Sequence, residues 1–64
     1  MTANQMLSKL AFAEVSATYS ADTRRAIRDE RTALAAAANS KDGPRIAAAM
    51  AEAKRVAEMW GVAL

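Results

Sequence analysis

The large apolar residues of this 64-residue chain fall into three stretches that differ in their spacing. From about residue 44 to 61, Ile46, Ala49, Met50, Ala53, Val56, Ala57 and Trp60 recur at steps of three and four, while Arg45, Glu52, Lys54, Arg55 and Glu58 take the opposite side. That spacing is the 3.6-residue period of an amphipathic helix. Lys54 and Glu58 are four apart and suit an ion pair. Gly61 is expected to fray the end, leaving Val62-Ala63-Leu64 as a short apolar tail. From Tyr19 to about residue 38 a second stripe is readable: Tyr19, Thr23, Ala26, Ile27, Leu34 and Ala37, set against Arg24, Arg25 and Arg28. Between the two lies the one strong breaker, Asn39-Ser40-Lys41-Asp42-Gly43-Pro44. There Asn39 can end a helix in the left-handed conformation, Asp42 or Gly43 can cap the next, and Pro44 suits its first turn. Folding the chain back about this loop sets Leu34 near Met50, Ile27 near Val56 and Ala57, and Tyr19 near Trp60 or Leu64. The apolar residues of the two halves therefore meet in register.

Residues 3 to 19 follow a different pattern. Met6, Leu7 and Leu10 share one face, and Phe12, Val15 and Tyr19 another. A helix apolar on two sides must bury both. One solution is a continuous helix over about 3–38, roughly 54 Å long, whose exposed N-terminal half pairs with a second copy. The other breaks near Ser20-Ala21-Asp22, with Ser20 as the cap of a new helix, and gives a three-helix bundle. The continuous helix is preferred because a tight turn at Ser20 has no Gly or Pro to make it. The expected fold is thus all-α, one domain over residues 1–64. It is an antiparallel helical hairpin with a long first helix (about 3–38), a loop at 39–43 and a shorter second helix (about 44–61), dimerising into a helical bundle.

Composition strengthens the expectation of a dimer. The hydrophobic fraction is 53%, but eighteen of those residues are alanine. So short a chain buries only about 60% of its unfolded surface, and disulfides, a metal or oligomerisation usually supply the missing stability. With no Cys and no His, oligomerisation remains, and Met6, Leu7, Leu10, Phe12, Val15 and Tyr19 are the expected interface. The lack of Cys fits a reducing compartment. No apolar run reaches the roughly 18 to 20 residues that cross a membrane, and MTANQMLSKLAFA lacks the charged start and clean apolar core of a signal peptide. A cytoplasmic protein that engages no membrane is expected.

Charge and chemistry narrow the function little. The net charge of +2 is too small to argue for nucleic acid. Without His or Cys, and with Ser8, Ser16, Ser20 and Ser40 lacking a partner base, neither acid–base nor nucleophilic catalysis is expected. No enzyme, metal or cofactor is therefore expected. Glu30 falls close to the apolar stripe and reads as a boundary carboxylate paired with an arginine. Arg24, Arg28 and Arg31 share a face and suit an acidic partner surface or phosphate. The same arginines also suit a solvated face laced by Asp22–Arg25 and Arg25–Asp29 pairs. Met59, off the main apolar face, and Trp60 are candidate partner contacts.

In length, single loop and amphipathic alanine-rich helices the chain resembles the small helical-hairpin dimers typified by plasmid copy-number regulators. No motif is shared residue by residue, so the resemblance implies a helical-hairpin architecture alone. The expected function is a small dimeric protein-interaction module that binds and regulates, by inhibition, a larger protein, of the size and composition that phages and mobile elements often encode. The alternatives are a nucleic-acid-binding regulator using the Arg24/Arg28/Arg31 stripe, and a structural assembly component.

Overall fold

Thr2 opens the first helix. Its hydroxyl accepts from the Gln5 N–H at 3.1 Å while the Gln5 side chain accepts from the Thr2 N–H at 2.8 Å, a reciprocal capping box. In this computed structural model, which describes residues 1–64, the helix α1 runs Ala3–Glu14, α2 runs Ala21–Ser40 and α3 runs Gly43–Met59. α1 packs on α2 and α2 on α3, while α1 and α3 barely touch. The long first helix expected over 3–38 is therefore two helices, and the two-helix hairpin is a three-helix domain.

The corner at residues 15–20 is made without Gly or Pro. The Ser16 hydroxyl accepts from the Thr18 N–H at 3.3 Å, the Tyr19 N–H donates to the Ser16 carbonyl at 3.3 Å, and the Ser20 hydroxyl accepts from the Thr23 N–H at 3.2 Å. Hydroxyl side chains thus satisfy the backbone groups that a helix would have satisfied. Ser20 is the N-cap of α2, as the three-helix alternative required. The gain lies in burial. Turning α1 back sets Met6 (4% exposed) and Leu10 (0%) in the protomer's own core, where each large side chain is worth roughly 1.5–3 kcal/mol.

That core is Met6, Leu10, Ala13, Ile27, Leu34, Ala53, Ala57 and Val62, with Leu7, Tyr19, Ala49, Met50 and Leu64 packed against it. Ile27 and Leu34 of the α2 stripe and Ala53 and Ala57 of the α3 stripe are buried together in this core. Trp60 of the α3 stripe lies outside it and stands partly exposed at the end of α3. The α2–α3 loop is shorter than the expected 39–43. Asn39 and Ser40 stay helical, and Lys41 takes the left-handed conformation at φ 56°. Asp42 caps α3, its carboxylate accepting from the Arg45 N–H at 3.4 Å, and Pro44 lies in the first turn.

Gly61 does not fray the last helix. At φ 71° it closes α3: its own N–H donates to the Glu58 carbonyl at 3.1 Å and the Val62 N–H donates to the Ala57 carbonyl at 2.8 Å. This pair of bonds is the Schellman arrangement, which needs a left-handed residue at the position Gly61 fills. It turns Val62 inward against the core, and the Lys9 ammonium then donates to the Leu64 backbone oxygen at 3.2 Å. The finished molecule measures 33 × 18 × 17 Å. Its 4067 Å² of accessible surface is what a free-standing folded monomer of this mass exposes, about 4,000 Å².

Candidate functional site

The corner that divides α1 from α2 sorts the expected interface residues into two sets. Met6 and Leu10 are buried, and Leu7 and Tyr19 pack against the core. Phe12 and Val15 point away from it, 78% and 75% exposed. Three positions apart at the end of α1, they adjoin on one face. Phe12 lines an open cleft of about 320 Å³ together with Lys9, Tyr19 and Ala63. Val15 lines another, of about 290 Å³.

The walls of the Val15 cleft are basic. Arg24, Arg25 and Arg28 project from the first two turns of α2 and meet Glu14, Val15 and Ala21. Arg25 pairs with Asp22 at 3.7 Å, with both side chains well exposed, and such a pair contributes at most about 1 kcal/mol. Arg24 and Arg28 have no ion-pair partner, and the Arg25–Asp29 pair suggested by spacing is not formed.

Arg31, the third member of the expected stripe, is committed elsewhere. Its guanidinium grips Glu14 by two hydrogen bonds, from Nε and, at 3.2 Å, from Nη2. This planar fork matches a carboxylate well. Glu14 is 18% exposed, and its carboxyl is held below the usual range first by these hydrogen bonds, which outweigh the opposing effect of burial, with lesser contributions from the charges of Arg31 and Arg28. The clamp ties the end of α1 to the middle of α2. The two residues are seventeen apart in sequence and sit opposite each other only once the chain folds at residues 15–20. The basic surface is therefore Arg24, Arg25 and Arg28, the trio that the spacing sets against the apolar stripe of this helix, and helical spacing alone does not show that Arg31 is taken by Glu14.

Glu30 lies half-buried on the side of α2 that faces α3. Burial pushes its carboxyl upward, Glu52 adds to that shift, and Arg55 opposes it. No arginine forms an ion pair with it; Arg55 turns instead to Glu52, at 2.6 and 3.1 Å. Lys54 and Glu58 do not pair either.

At the C-terminal end of α3 Met59 is 65% and Trp60 42% exposed. A third cleft, of about 540 Å³, opens among Met1, Met6, Met50, Val62 and Leu64, with Lys54 and Glu58 among its lining residues. No group of three or more His, Cys, Asp or Glu is placed to hold a metal ion. No helix is long and apolar enough to cross a membrane.

The fold and this surface define a small three-helix, all-α domain with an exposed apolar edge beside a basic cleft. No known protein family, curated protein or solved structure matches the chain.

Proposed function

We propose that this chain is a protein-interaction module that binds a larger protein and regulates it by covering a surface that the larger protein needs. The observation that carries this reading is the exposure of Phe12 and Val15. The core closes without them, and α1 could carry polar residues there at no loss of internal packing. Large apolar side chains held side by side on a rigid helix end are the type of group that anchors protein interfaces, and neighbouring arginines are enriched among such anchors. Met59 and Trp60 offer a second, smaller apolar patch of the same chemistry.

The test is affinity capture from the host's soluble extract with immobilised chain and with a Phe12→Ser/Val15→Ser variant whose helicity is first checked by circular dichroism. A protein retained by the parent and lost with the variant supports the reading. Equal retention by both, or retention of nothing, overturns it.

Homodimerisation is the second reading, favoured by the thinness of the core: only Leu10, Ile27 and Leu34 among the large side chains are fully buried. A second copy set against Phe12 and Val15 across a two-fold axis would add burial where the protomer has little. Sedimentation equilibrium at micromolar concentration decides it. A dimer that the same double substitution converts to monomer supports the reading, and a parent chain that stays monomeric removes it.

A further inference from the structure

We propose that the Arg24/Arg25/Arg28 cleft and the adjoining Val15–Phe12 edge form one composite docking site for an acidic, apolar-anchored segment of a partner protein, carboxylates seating on the arginines and an apolar side chain on Val15 and Phe12. This rests on the protein-interaction reading above and names the chemistry of what is bound.

Charge complementarity selects the occupant. Arg24 and Arg28 are cations without ion-pair partners on the wall of an open cleft. The carboxylate already in that cleft, Glu14, is neutralised by Arg31 behind it. Lys9, on the Phe12 side of the same edge, is held by the Leu64 backbone oxygen, so the free positive charge lies on the Val15 side. An acidic segment finds complementary charge beside its apolar anchor. Arginine forks bind carboxylates bidentately, and the apolar contact beside them excludes water and strengthens those bonds.

Nucleic acid fits the same surface less well, because no flat aromatic face lies in the basic cleft for a base to stack on. A phosphate backbone also leaves Val15 and Phe12 uncovered. Arg31 plays no part in the site, because it already holds Glu14.

The experiment titrates the full chain with three fluorescein-labelled probes of matched length in low salt. They are a peptide of glutamate interspersed with leucine, an oligo-glutamate peptide of the same charge, and single-stranded DNA. The expected order is tightest binding to the glutamate–leucine peptide, with backbone amide shifts confined to α1 from Phe12 onward and the first two turns of α2. Arg24→Ala/Arg28→Ala and Phe12→Ser/Val15→Ser should each weaken that binding by about tenfold or more, the loss expected for charge-assisted hydrogen bonds and for a buried apolar anchor. Circular dichroism of each variant checks that the helices remain. DNA binding as tightly as the peptide, oligo-glutamate matching the glutamate–leucine peptide, or no binding of any probe overturns the proposal. The capture experiment separates the two levels. A captured protein lost on Phe12→Ser/Val15→Ser but kept on Arg24→Ala/Arg28→Ala refutes the acidic docking site and leaves the interaction reading standing. Loss on neither refutes both.

Discussion

Glu14 and Glu30 place the same carboxyl group in opposite situations. Arg31 holds Glu14 as the anion and lowers its folded-state pKa below the ordinary value of 4.5. Its contribution to stability is therefore present above that value and lost as pH falls through the folded pKa. Glu14→Gln should lower stability by about 1 kcal/mol at neutral pH, since the pair is only partly buried. The difference from the parent should vanish in acid, which chemical denaturation across pH would show. For Glu30 the sign reverses. Burial raises its folded pKa above 4.5, so the group favours the fold when protonated, and that advantage is lost as pH rises through the raised value. Glu30→Gln should raise stability at neutral pH by about 0.5 kcal/mol, and give no gain in acid. Opposite pH profiles for two conservative substitutions in one small domain make a demanding test of this geometry.

At the scale of elements, the two left-handed residues are not equivalent. Gly61 at φ 71° has open space where a Cβ would go, so Gly61→Ala meets no clash. Its cost is conformational, about 1–2 kcal/mol, and it should unseat Val62 from the core. A thermal midpoint lowered by roughly 5–10 °C would show this. The corner at 15–20 explains what the sequence concealed and what it disclosed. The stripes on α2 and α3 could be read because Ile27, Leu34, Ala53 and Ala57 are packed by helical period alone, and the period is written in the order of residues. The break before α2 could not be read with the same ease. Ser16 and Ser20 make it through hydroxyl-to-backbone bonds, and the same residues are tolerated within helices. What decides between the two is the burial of Met6 and Leu10 against α2, a contact distant in sequence. The candidate site inherited that ambiguity. Arg24, Arg25 and Arg28 were recognisable as the polar side of α2, but Arg31 leaves the expected stripe only because the corner brings Glu14 alongside.

As a whole molecule, the domain rests on three fully buried large side chains, one in α1 and two in α2. A core of this size supports a total stability of only about 3–5 kcal/mol. Ile27→Ala removes a central member at a cost of about 2–5 kcal/mol and should leave a largely unfolded chain at room temperature, seen as lost helical ellipticity and a urea transition with no folded baseline. The order of packing has a consequence for the protein's lifetime. Each helix rests on its neighbour in sequence, joined by a short corner and a shorter loop, and such local topologies fold within microseconds to milliseconds. Opening and reclosing then outpace cleavage, so a protease sees the equilibrium share of open chain, with no slow unfolding step to shelter it. A partner that binds only the closed form reduces that share in proportion to its concentration over its dissociation constant. Under the proposed function, the abundance of this chain in a cell follows that of its partner, with free copies cleared and bound copies kept.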